Sequence, residues 1–167
     1  MIINGIELLK AAPIKSMLGT KVLHNGVSHG LSEVGFDIRI KQKIEFYQGL
    51  NGMRWVSIQE GNKKKLLNGS FIIASAMEEF DMPDDLAGIV HDKSTWARRG
   101  LSVFNTVVES GWKGHLTLEL VYHGQEKLVI PAGSGIAQVV FHKTVCKAAY
   151  SGRYQNQPDH PVAAISS

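Results

Sequence analysis

The chain has 167 residues, 44% of them hydrophobic and 20% charged, with a formal net charge of +3. That balance excludes a disordered polypeptide, and so small a charge, with no run of five or six like residues, argues against a nucleic-acid partner. No apolar stretch approaches the ~18 residues of a membrane span, and the single cysteine, Cys146, excludes an internal disulfide framework and a multi-cysteine zinc cage.

The length predicts one domain over residues 1–167, with a polar C-terminal arm from about 151 onward. The opening MIINGIELLK lacks the basic-then-apolar build of a signal peptide, so a cytoplasmic protein is expected. The spacing predicts a short helix over 4–12, with Asn4 as N-cap, Ile6, Leu8 and Leu9 as its apolar stripe, and Pro13 as its stop. Residues 19–29 read as loop or weak strand. Over 36–46, Phe36, Ile38, Ile40, Ile44 and Phe46 alternate with Asp37, Arg39, Lys41, Lys43 and Glu45, which predicts one half-buried antiparallel strand. Asp37 and Arg39 fit a plain surface pair as well as a role at the site. Shorter strands are predicted around 55–58, 70–76, 87–90, 101–105, 115–122, 127–130 and 136–142. Turn residues separate them: Asn51-Gly52, Gly61-Asn62, Pro83-Asp84-Asp85, Gly111, Gly114 and Pro131-Ala132-Gly133. Lysines 63–65 read as a solvated turn. Many short strands and little helix predict a β-sandwich or distorted barrel. The arm is aperiodic and holds two prolines, so it is either a frayed end or ordered against something else.

Chemistry concentrates between residues 91 and 119. In KSTWAR, Lys93 and Arg98 offer fixed positive charge and Ser94 and Thr95 offer hydroxyls, the inventory that holds a polyphosphate. The glycines that let a P-loop wrap phosphate are missing, which argues against a Walker ATPase. The same cluster also fits a plain helix start capped by Thr95. Glu119, in LTLEL, falls with Thr117 opposite the face of Leu116, Leu118 and Leu120. It is either an acid/base group beside the anion site or an acid on the solvent face of an edge strand. Trp112, between Gly111 and Gly114, is either a site residue or a core aromatic. The seven histidines are nowhere spaced as HxxxH or HxH, so a deaminase built on this chain must activate water without zinc.

KSTWARRGL, NTVVESGWKGHLTLEL, PAGSGIAQVVF and GRYQNQ, preceded by EVGFDIRI and MPDDLAGIVHDKST, together resemble the dCTP deaminase branch of the dUTPase-like superfamily over roughly residues 33–157. The resemblance implies a mainly β, distorted β-barrel or jelly-roll-like fold with a short N-terminal helix. It also implies a homotrimer with active sites between subunits and an arm closing over a neighbour's nucleotide. The implied activity is zinc-independent hydrolysis of dCTP to dUTP and ammonia, in the deoxynucleotide metabolism that supplies dUMP and dTTP.

By the same resemblance Glu119 shuttles protons for the water attacking C4, while Ser94 and Arg98 hold that water and the leaving amino group. Lys93 stands where the family commonly has a phosphate-binding arginine, and Thr95 adds a phosphate-binding hydroxyl. Trp112 lies near the sugar, Glu109 takes the place of an aspartate near the deoxyribose, and Gln138 matches a position shared with dUTPases. Tyr150, Arg153, Tyr154 and Gln157 match C-terminal phosphate contacts. A backbone carbonyl near Thr106 or Val107 helps to hold the water. Magnesium enters bridging the triphosphate, and dTTP is a candidate inhibitor. Two other readings stay open: a dUTPase or bifunctional enzyme giving dUMP, and a non-catalytic nucleotide-binding trimer. Against a plain dUTPase, the acid lies mid-strand, and Ser110 and Trp112 occupy the turn where that family keeps its water-activating aspartate.

Overall fold

The computed structural model describes residues 1–104 and 107–166, and in it the apolar alternation becomes a set of short strands. In chain order the elements are β1 (Ile2–Ile3), α1 (Gly5–Ala11), β2 (Lys21–His24), β3 (Val27–Leu31), β4 (Phe36–Arg39), β5 (Lys43–Gln48), β6 (Arg54–Glu60) and β7 (Lys63–Asn68). There follow β8 (Phe71–Asp81), β9 (Leu86–Asp92), α2 (Ser94–Ala97), β10 (Leu101–Val103), β11 (Val107–Val108), β12 (Lys113–Tyr122), β13 (Leu128–Ile130) and β14 (Gly135–Lys143). Paired antiparallel, the strands form three sheets: β11-β9-β14-β4-β3-β2 with β1 added to β14, then β10-β12-β8, then β13-β5-β6-β7. The expected mainly β chain with a short N-terminal helix is what the structure shows. Among the described residues no closed barrel forms: the strands divide among three sheets, in keeping with the distorted, jelly-roll-like arrangement expected.

The division begins inside what reads as one strand. Residues 36–46 contribute β4 to one sheet and β5 to another. Between them Ile40 bridges Ala76, and buried Gln42 accepts the Ser75 N–H at 2.8 Å. Phe36, Ile38, Ile40, Ile44 and Phe46 are nonetheless all within 2% of complete burial. Alternation fixes which face of a strand is apolar, not which neighbour it pairs with.

The weak-strand region before β4 is a hairpin. Asn25 and Gly26, at φ 52° and 76°, supply the two left-handed residues of a tight two-residue connection between β2 and β3. The three lysines expected in a turn lie on β7, an exposed edge strand, and the turn itself is Gly61-Asn62. At α1, Asn4 takes the N-cap position without capping. Its Nδ2 donates instead to the Glu33 carbonyl at 2.8 Å. One apolar cluster, including Leu8, Phe46, Phe80, Leu118 and Phe141, joins α1 to all three sheets. Each such side chain stabilises the fold by roughly 1.5–3 kcal/mol. Among the described residues no helix is long and apolar enough to cross a membrane.

His29 on β3 is buried, and its Nδ1 has no hydrogen-bond partner among the described residues. Burial first, then Arg39 and His24, hold its pKa below the ordinary 6.5, while an opposing pull from Asp37 outweighs the further lowering by Lys93. The native state therefore favours the neutral ring. This stabilisation is complete above 6.5 and is lost as pH falls from there toward the depressed value, because the unfolded chain binds the proton first. The drop in thermal midpoint between about pH 7 and pH 5 should accordingly shrink in His29→Gln. Equal drops in both proteins would clear His29 of any part in acid sensitivity.

Candidate active site

At the end of β9 the chain turns sharply, and buried groups hold the turn from inside. Asp92 Oδ1 accepts the Val103 N–H at 2.7 Å, tying the end of β9 to β10. Trp96 is buried and donates its Nε1–H to the Gly135 carbonyl at 2.7 Å, and the Arg99 guanidinium lies 5.4 Å over its ring. Lys93 is the N-cap of α2, and neither it nor Thr95 makes a side-chain cap. With the inner face thus filled, Ser94, Thr95 and Arg98 are left exposed. Their side chains have no hydrogen-bond partner among the described residues.

Lys93 behaves differently from the free cation read from its sequence position. Its side chain is 11% exposed and ion-paired with Asp37, which is 3% exposed. Among the described residues only the Ser28 hydroxyl also approaches that carboxylate, at 3.4 Å, and the second oxygen, Oδ1, is unpartnered. Asp37 is thus a buried partner and not half of a surface pair. Arg39 pairs with the buried Glu78, Nε to Oε1 at 2.8 Å. Gln138, on β14 beside Asp37, donates to the Ser32 hydroxyl at 2.8 Å.

The carboxylate of interest lies elsewhere, on the three-stranded sheet. Glu119 sits opposite Ile73 on β8, and its carbonyl accepts the Phe104 N–H at 2.8 Å. Its side chain is exposed and has no hydrogen-bond or ion-pair partner among the described residues. It lines an open groove of about 790 Å³, together with Val107, Glu109, Trp112, Tyr150, Tyr154 and Gln157. Seven of the sequence-predicted site residues therefore converge here. Ser94, Thr95, Arg98, Lys93, Gln138 and Arg153 do not line the groove, and Thr106 lies outside the described residues. Phe71 and Ile73 of β8, Leu116 and Thr117 of β12, Val108 and residues 162–164 of the arm also line it. Phe71, Ile73 and Leu116 escaped the sequence reading because apolar strand residues read as core, and Thr117 was placed on the face of Glu119 without a role.

Within the single chain the arm is ordered along β12 and the Ser110–Lys113 turn. Tyr150 N–H donates to the Ser110 carbonyl at 2.8 Å, and Trp112 Nε1–H donates to the Tyr154 carbonyl at 2.7 Å. Trp112 is also buried against Phe80, so the tryptophan serves core and groove together. Gln155 links the Gly111 and Tyr150 carbonyls to the Lys113 N–H. Beyond it, Asn156 N–H donates to the Lys113 carbonyl at 2.9 Å and His115 N–H to the Gln157 carbonyl at 3.0 Å. Farther out, Asp159 pairs with Lys41 at 2.8 Å, and Arg153 donates to the Ile165 carbonyl at 2.8 Å.

Gly114 makes the close approach possible. It sits at φ 128°, and a Cβ there would stand 2.4 Å from Gln157 N and 2.6 Å from Gln157 O. Gly114→Ala should detach the arm and open residues 150–157 to limited proteolysis, at a cost on the order of 1–3 kcal/mol. An arm that stays protected would show that the backbone can shift to admit the methyl group.

Among the described residues no group of three or more His, Cys, Asp or Glu side chains is placed to hold a metal ion. A profile of dCTP deaminase-like proteins matches residues 19–144. The chain is 34% identical over 146 residues to a dCTP deaminase of Sulfurovum sp. (strain NBC37-1), covering 78% of this chain and 77% of that one. To a dCTP deaminase of Campylobacter jejuni it is 35% identical over 145 residues, with 78% of each covered. Among solved structures, native EIAV dUTPase superposes with a TM-score of 0.51 at 16% identity, over 72% of this chain and 84% of the other. The 2'-deoxycytidine 5'-triphosphate deaminase of Agrobacterium tumefaciens superposes with a TM-score of 0.54 at 17% identity, over 85% of this chain and 48% of that longer one.

Proposed function

The chain belongs to the dCTP deaminase family, and from that membership we propose that it hydrolyses the C4 amino group of dCTP, yielding dUTP and ammonia. The observation that carries the reading is Glu119, an unpartnered carboxylate in an aromatic-lined groove of nucleotide size. A carboxylate so placed takes a proton from water as the oxygen adds to C4, passes it to the ring nitrogen, and assists departure of ammonia. One water is consumed for each amino group released.

A single chain leaves this machinery incomplete, since Ser94 and Arg98 do not reach the groove of their own chain. We assign them to the groove of a second copy, in a homotrimer, where they hold the water and the leaving amino group. Large apolar side chains beside the groove favour such a contact: Phe71, Phe104 and Val107 are each more than half exposed. Thr95 and Arg153 bind phosphate. Lys93 serves the same site indirectly, by anchoring the turn that carries Ser94. Magnesium arrives with the triphosphate as part of the substrate, dTTP competes for the same groove, and the setting is cytoplasmic.

Incubation with dCTP and magnesium, followed by ammonia assay and chromatography of the product, tests the proposal. Absence of ammonia would remove it. A bifunctional variant has one observation in its favour: Glu109, a second carboxylate, lines the groove with Glu119 and could activate water at the triphosphate. Release of pyrophosphate with dUMP would establish it, and dUTP as sole product would exclude it.

A further inference from the structure

Thr117 lies two residues before Glu119 on the same face of β12, just after the break in β8–β12 register between His115 and Thr117. Such irregularities re-aim side chains. Its hydroxyl accepts the Val162 N–H at 3.1 Å and donates to Gln157 Oε1 at 3.2 Å. The Val162 end of this chain has a fixed direction, because a backbone N–H can only donate. Toward Gln157 the Thr117 hydroxyl donates to Oε1. With its amide oxygen facing Thr117, Gln157 has Nε2 as the outward group. Nε2 has no partner among the described residues, and Gln157 lines the groove.

We propose that Thr117 is a positioning residue for the nucleotide: through this hydrogen-bond relay it holds the arm at Val162 and presents the Gln157 amide as a donor to an acceptor oxygen of the substrate. The relay rests on the deaminase reading only in taking a nucleotide as the occupant of the groove. It gives the arm a reason to lie on its own chain, since closure of the last residues and orientation of Gln157 become one event. A side chain that is isosteric but lacks the hydroxyl removes both bonds. Serine keeps both.

The experiment compares Thr117→Val with Thr117→Ser in the full chain. Ammonia release should show KM for dCTP raised about tenfold in the valine variant, with the smaller effect on kcat, and near-native values in the serine variant. Hydrogen exchange should show the Val162 amide exchanging at least about tenfold faster in Thr117→Val and at the native rate in Thr117→Ser. An unchanged KM in the valine variant, or a loss borne by kcat alone, would overturn the proposal. So would a serine variant as impaired as the valine one, since packing and not the hydroxyl would then matter. If the native chain releases no ammonia from dCTP, the deaminase reading fails by itself. The exchange comparison still decides the relay: faster exchange confined to Thr117→Val supports it, and equal rates in all three proteins refute it.

Discussion

Glu119→Gln should lose about 10³-fold in kcat for ammonia release from dCTP while changing dCTP binding by less than about threefold. Glutamine matches the shape of glutamate and keeps a carbonyl acceptor, but it cannot carry the proton from water to the ring. Stability should barely move, within about 0.5 kcal/mol, because the carboxylate is exposed and pairs with nothing among the described residues. Those two outcomes together separate chemistry from folding. Turnover above about a tenth of the native rate would assign the proton transfer to another group, and Glu109 is the other groove carboxylate to test.

The largest effect on stability is expected at Lys93. Lys93→Met leaves Asp37 buried with only a long contact from Ser28, and breaking a buried pair from one side costs about 3–5 kcal/mol. The urea midpoint should fall accordingly. Adding Asp37→Asn should recover much of the loss, since the uncompensated charge disappears. A single-variant loss under about 1 kcal/mol would mean that another cation, with Arg39 the nearest in sequence, swings in to replace Lys93. The pair also separates two roles that sequence position merges. In sequence a lysine next to Ser94 reads as a phosphate ligand, whereas in the fold it is ion-paired with buried Asp37.

What could be read from the residues alone was whatever depends on neighbours in the chain. The helix ending before Pro13, the buried series from Phe36 to Phe46, and the opposition of Glu119 to Leu118 and Leu120 all follow from backbone geometry and period. The Asn25-Gly26 hairpin was legible too, from a dipeptide that supplies two left-handed residues, but the polar surroundings of β2 hide it. Pairings across long separations were not legible. Lys93 meets Asp37 across 56 residues, and nothing local distinguishes that lysine from a solvent-facing one. Trp96 reads as one more aromatic until its N–H is seen to pin the turn to Gly135. The arm was opaque for a different reason. It docks through main-chain groups, which every sequence possesses, so polar composition alone suggests a loose end.

The way the arm is fastened has an evolutionary corollary. Carbonyls and amides of Tyr150, Tyr154, Asn156 and Gln157 make much of the attachment, so a side chain with no part in groove or docking, such as the exposed Ser151, is free to drift between lineages. Its length is not. Losing or gaining one residue between Tyr150 and Gln157 would shift every later contact out of phase with β12. Relatives should therefore conserve the count of this segment even where single exposed positions such as Ser151 change.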